Sequence, residues 1–252
     1  MNILKTIRIS FAVITAMTTS VVLAFETSIK IHIQEGLYLS ARLTEVSGAT
    51  TSVLMLHQCN RDQNMWQPVV EALNDKGIST MTVDFRGYGD SKMAGYDTDL
   101  SDADLSDADY DKATAHIQQD IHFIYYSWVE NTPNVKKRAV VGASCGGGAA
   151  SILASQHNEI GALSLFSPSL RPYWFATENW EPLKKRTDLP VLGIASLEDK
   201  NAVKYVTKVI DGSSARLTEK IIYNGKDHGE PLFELDPNLP TKMVVWIEQS
   251  LK

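Results

Sequence analysis

The sequence predicts an α/β fold: one doubly wound, mostly parallel sheet of about eight strands, with an antiparallel hairpin at its N-terminal edge. Three observations predict it. Short runs that are apolar on both faces recur at 52–58 (SVLMLHQ), 78–85 (ISTMTVDF), 138–144 (RAVVGAS), 161–167 (GALSLFS) and 189–196 (LPVLGIAS). Such runs suit parallel strands covered by helices on both sides. Segments with helical spacing lie between them, and strand alternating with helix gives a sheet joined by crossovers. No Pro- or Gly-rich linker interrupts the pattern, so residues 25–252 read as one domain.

The elements follow in order. Residues 1–24 stand apart. Lys5 and Arg8 precede the run ISFAVITAMTTSVVLA, and Val22-Leu23-Ala24 puts small residues at −3 and −1 of a cut after Ala24. That is the layout of a secretory signal peptide. An uncleaved anchor is the alternative, but Thr15, Thr18, Thr19 and Ser20 break a run shorter than the roughly 20 apolar residues a span needs. Cleavage takes the formal charge from −6 to −8 and implies a periplasmic or secreted protein with no stable membrane association. SIKIHIQ and LYLSARLTEV then alternate about Glu35-Gly36 as a hairpin. Helices are expected over 65–77, 112–131, 146–158, 201–212 and 239–252, the last with Pro240 in its first turn.

Segment 96–111 departs from this pattern and contains LSDAD twice. Asp107, Asp109 and Asp111 alternate as at the start of a calcium loop. Lys112, however, stands where such a loop needs Gly, and Gln118 where it needs a bidentate Glu. A solvated acidic loop without metal is the expectation. The acidic balance and a pI near 5.5 give no basic face for nucleic acid.

The chemistry gathers at RAVVGASCGGGAAS. Ser144 sits where a strand ends and a helix begins, and Gly142-Ala143-Ser144-Cys145-Gly146 fits G-x-S-x-G. In that elbow a strained serine projects above the sheet and small neighbours let strand and helix cross closely. The bland alternative is a tight structural turn. Two partners follow in the order the elbow requires. Asp199 heads the helix after the 189–196 strand, with Glu198 as a substitute, and an N-cap aspartate would look the same. His228 lies beside Gly229 in the loop before the last helix, placed to take a serine proton while a carboxylate fixes its tautomer. His32, His116, His122 and His157 fall in a hairpin or on helices and read as surface or packing residues.

With these motifs the chain resembles the α/β-hydrolases. LMLHQCNRDQNMW resembles their His-Gly oxyanion loop, and VDFRGYGDS their D-x-R-G-x-G-x-S segment. Taken with the elbow, LEDKNAV and DHGE, the ordered set spans nearly the whole chain after residue 28. The resemblance implies a Ser144–His228–Asp199 triad, no cofactor and no metal. It implies an oxyanion hole from the backbone N–H of Cys145 and of either Gln58 or Cys59, Gln58 standing where the family usually has glycine. It gives His57, Arg86 and Asp90 loop-stabilising roles. Cys145 as nucleophile, as in dienelactone hydrolases, would shift the register and put Ala143 where close packing favours Gly. The fold also implies that Cys59 lies above the elbow within disulfide reach of Cys145, up to about 7 Å between Cα atoms; two adjacent buried thiols are the alternative. The expected activity is hydrolysis of an ester-type bond in a small acyl substrate. A peptidase, an acyltransferase and a non-catalytic binding protein are the rivals. Trp174, Phe175 and Trp180 are candidates for one wall of an open cleft, in a segment too short for a large cap.

Overall fold

The computed structural model describes residues 23–91, 100, 106–169, 183 and 185–252. The leader up to Val22, most of the 96–111 segment, and Trp174, Phe175 and Trp180 lie outside the described residues.

Eight strands form one sheet in the order β1-β2-β4-β3-β5-β6-β7-β8. β1 (Ala24–Gln34) and β2 (Leu37–Val46) are the antiparallel hairpin. β2 also pairs antiparallel with β4 (Ser79–Val83). β3 (Thr51–Leu56), β5 (Lys137–Ala143), β6 (Ile160–Phe166), β7 (Val191–Ser196) and β8 (Glu219–Tyr223) complete the sheet in parallel. No large cap covers the described sheet.

β3 shows why the strands read as unbroken apolar runs. Val53 and Met55 pack on one face with α1 (Gln67–Asn74) and α6 (Leu239–Ser250). Leu54 and Leu56 pack on the other with α2 (Asp107–Asn131) and α3 (Cys145–Gln156). All four are fully buried. Each contributes about 1.5–3 kcal/mol by leaving water, so both sides of the sheet hold the helices. Trp128, deep in α2, is satisfied by donating its indole N–H to Ser52 Oγ at 2.9 Å. The remaining helices are α4 (Lys200–Gly212) and the short α5 (Pro231–Leu235).

The structure corrects the sequence reading in three places. α2 begins at Asp107, so Asp107, Asp109 and Asp111 belong to a helix and neither to a solvated loop nor to a calcium loop. The physical reason is that acidic residues near the start of a helix are compatible with its dipole, so an acidic composition does not by itself specify a loop. A 3-10 turn at Gln63–Trp66 precedes α1, with Asp62 accepting the Asn64 N–H at 2.8 Å. The short α5 was not anticipated; Pro231 opens it in a stretch too brief to show a period.

Register places the carboxyl ends of the central strands side by side. Ala143 pairs with Phe166, and Phe166 with Ile194, so Ser144, Ser167 and Ser196 leave the sheet at one edge.

Candidate active site

At the end of β5 the chain turns through Ser144, whose φ is 49° and ψ −115°. A left-handed serine costs on the order of 1–3 kcal/mol, so the surroundings must impose it. A Cβ on Gly142 would stand 2.1 Å from Gly146 O, and one on Gly146 would stand 2.3 Å from Leu56 O. Only glycine permits β5, α3 and β3 to approach this closely. The Ser144 N–H donates to Phe166 O at 2.9 Å, and its carbonyl accepts from the Ser169 N–H at 3.0 Å. Ser144 keeps 7% of its surface exposed.

Asp199 caps α4 and meets His228 with the same carboxylate. Oδ1 accepts the Ala202 N–H at 3.2 Å, and Oδ2 lies 2.5 Å from His228 Nδ1. An ionised partner at Nδ1 puts the ring proton there and leaves Nε2 as the acceptor. The Asp199 side chain is 13% exposed and that of His228 40%. Glu198 is exposed, and its backbone N–H donates to Gly225 O at 2.9 Å. Asp199 therefore faces the imidazole, and Glu198 does not.

Three hydrogen bonds hold the histidine loop. Ser196 Oγ donates to Asp227 O at 2.6 Å, the Gly229 N–H donates to Ser167 Oγ at 3.0 Å, and the Glu230 N–H donates to Gln58 Oε1 at 2.9 Å. Ser144 is bonded to Phe166 and Ser169, and Gly229 to Ser167, so both loops converge on one bend after β6. No hydrogen bond joins the Ser144 hydroxyl to His228 among the described residues; such contacts are often long before substrate binds. Ser167, Ser196 and the Gln58 side chain were missed in the sequence reading. The available signal was a serine closing each of the runs GALSLFS and LPVLGIAS.

Across the elbow, Cys59 and Cys145 form a disulfide with Cα atoms 5.8 Å apart, and no free cysteine remains. The expected bridge is present, and Cys145 has no thiol to act as nucleophile. The Gln58 N–H donates to Met65 Sδ at 3.4 Å, which occupies one of the two candidate donors of this loop. No partner takes the Cys59 N–H among the described residues. Cys145 begins α3, where first-turn N–H groups have no partner inside the helix. His57 is fully buried: Nε2 accepts the Phe85 N–H at 2.9 Å and Nδ1 donates to Gln58 O at 2.7 Å.

The D-x-R-G segment wraps a buried carboxylate. Asp84 accepts from the Gln63 N–H at 2.8 Å, Gln63 Nε2 at 2.7 Å and the Asp90 N–H at 3.0 Å. Burial pushes its pKa up to about 6 despite these bonds. Arg86 forks onto buried Asp120 and donates to His116 Nδ1 at 3.1 Å, tying the segment to α2. His32 lies in β1, His116 and His122 in α2, and His157 stacks on Tyr125 at the end of α3. Among the described residues, no three His, Cys, Asp or Glu side chains gather to hold a metal. No described helix is long and apolar enough to cross a membrane.

No curated protein matches the chain in sequence. Solved structures share its fold. An esterase from Pyrococcus furiosus aligns with TM-score 0.63 and 16% identity over 91% of this chain and 94% of that one. A thermostable carboxyl esterase from Bacillus coagulans gives TM-score 0.68 and 12% identity over 90% and 99%. A dienelactone hydrolase from Anabaena variabilis gives TM-score 0.62 and 21% identity over 91% and 99%. At these identities the likeness speaks for fold alone. The family model described as serine aminopeptidase, S33, matches residues 48–187, more than half of the 252. That span contains the His57 loop, the Asp84 segment and the Ser144 elbow, and stops before Asp199 and His228. With sheet order, elbow and family model in agreement, the chain belongs to the serine aminopeptidase S33 family of α/β-hydrolases.

Proposed function

We propose that the protein is a serine hydrolase that cleaves an ester-type bond of a small acyl substrate through an acyl-enzyme on Ser144. One observation carries the reading: His228, paired with Asp199 at 2.5 Å, sits in a loop hydrogen-bonded to the same bend after β6 that bonds the strained Ser144. His228 Nε2 takes the Ser144 proton as Oγ attacks the acyl carbon. The carbonyl oxygen, now an oxyanion, receives the N–H groups of Cys145 and Cys59. His228 then returns the proton to the departing alcohol oxygen, and water repeats the sequence to release the acid and restore Ser144. Asp199 holds the imidazole tautomer throughout and stabilises its charged form.

The family description favours a second reading, an aminopeptidase. Such an enzyme needs a carboxylate to receive a substrate ammonium. Glu230, next to Gly229 in the histidine loop, is already neutralised by Arg61. Substrate turnover therefore has to separate the two readings. The signal-peptide layout of residues 1–24 supports an exported enzyme, and the Cys59–Cys145 bridge suits an oxidising compartment. The test is turnover of p-nitrophenyl acetate against aminoacyl p-nitroanilides by the chain from Phe25 onward. Ester turnover lost in Ser144→Ala is expected. Preferential anilide cleavage would favour the peptidase, and turnover surviving the substitution would refute the mechanism.

A further inference from the structure

Gln58 is 2% exposed, and both ends of its amide are engaged by protein. Oε1 accepts the Glu230 N–H at 2.9 Å, and Nε2 donates to Asn60 Oδ1 at 2.6 Å. The side chain lies against Gly229: a Cβ there would stand 1.8 Å from Gln58 Oε1 and 2.8 Å from its Cδ. Gly229 also has φ 68°, so both its conformation and its neighbour demand glycine. One side chain thus crosses from the loop carrying Cys59 to the loop carrying His228, across 172 residues of sequence. Its own backbone is fixed as well, by the N–H to Met65 Sδ and by the carbonyl to His57 Nδ1.

A second link runs beside it. Arg61 pairs with Glu230 and donates to Asn60 O at 2.7 Å. That pair is about one-third exposed on each side, so solvent and salt weaken it. The Gln58 bond is part-buried and its acceptor side chain is 2% exposed, so water competes with it less than with the Arg61–Glu230 pair. The loop therefore depends more on Gln58 than on Arg61. Ser167 and Ser196 fix the histidine loop to the sheet, whereas Gln58 alone joins its backbone to the oxyanion loop by a side-chain hydrogen bond among the described residues.

We propose that Gln58 is a positioning residue, whose amide sets the distance between the His228 imidazole and the oxyanion donors around Cys59. The proposal rests on the triad reading above. A glycine or any apolar residue at 58 would leave only the one-third-exposed Arg61–Glu230 pair between the two loops, and errors of about 1 Å in such a site cost up to a hundredfold in rate.

Gln58→Met preserves length and burial while removing both polar ends; Gln58→Glu restores an acceptor for Glu230. The measurements are kcat and KM on p-nitrophenyl acetate, thermal unfolding, and amide hydrogen exchange at Glu230 by NMR. For Gln58→Met, kcat is expected to fall about tenfold to a hundredfold with KM within about threefold. Exchange at Glu230 should rise at least about tenfold, while amides of β5 and β6 keep their protection. Gln58→Glu should recover most of the lost kcat. A folded Gln58→Met enzyme with kcat within twofold of wild type, or with Glu230 exchange unchanged, overturns the proposal. Should that variant fail to fold, Gln58→Asn, one methylene too short to reach Glu230, is read by the same criteria. Ser144→Ala runs alongside: turnover that survives it overturns the triad reading and the catalytic claim for Gln58 together. Turnover that disappears in Ser144→Ala but persists in Gln58→Met overturns only the claim for Gln58.

Discussion

Asp84 is a charge placed where a charge is costly. It is 1% exposed, and burial raises its pKa from 3.8 to about 6. The folded protein therefore holds this proton at pH values where the unfolded chain has released it, and stability from this group falls as pH rises from about 4 through about 6. At 1.36 kcal/mol per unit the change amounts to about 3 kcal/mol. Urea unfolding between pH 4 and pH 7 should show the wild type losing that amount relative to Asp84→Asn, whose neutral amide cannot titrate. A constant difference across the range would contradict the assignment. At the same scale, the residues legible in sequence were those with a positional grammar. Ser144 is named by its glycines, Asp199 by its place before a helix, and His228 by its place after the last strand. Ser167, Ser196 and the Gln58 amide were not legible, because each acts on a loop 31 or more residues away and no local pattern encodes such a contact.

At the scale of elements, α4 and the elbow share a design in which one feature both holds structure and serves the site. Asp199 caps α4 with one oxygen and meets His228 with the other. The two roles separate by substitution. Asp199→Asn keeps a good N-cap and should leave the melting temperature nearly unchanged, while the amide favours the wrong imidazole tautomer and lowers kcat by about 10⁴. Asp199→Ala should lose the activity and, in addition, about 1 kcal/mol of stability. Equal melting losses for both variants would contradict the cap. The Cys59–Cys145 bridge closes a span of 86 residues, a constraint on the unfolded chain on the order of 4 kcal/mol. It joins the residues whose N–H groups would receive the oxyanion, and so steadies them as well. Strands and long helices were legible because burial on one or both faces leaves a period. The start of α2 was obscured by its acidic composition, and α5 by its brevity.

At the scale of the molecule, the parallel strands β3 to β8 deliver their carboxyl ends to one edge, where ligands of open α/β sheets bind. Apolar layers pack both sides of the sheet, and the strained serine, the capped aspartate and the hydrogen-bonded histidine loop all follow strands that end at that edge. The sheet class followed from alternation alone, whereas the meeting of the loops required the register. The central claim is that Ser144 Oγ is the nucleophile. The most direct measurement is the site of covalent attachment of a fluorophosphonate, located by peptide mass spectrometry on the protein from Phe25 onward. The account predicts one adduct, on Ser144, lost in Ser144→Ala and strongly slowed in a His228→Ala variant. An adduct on another residue, or none on a folded protein that still hydrolyses p-nitrophenyl acetate, would contradict it.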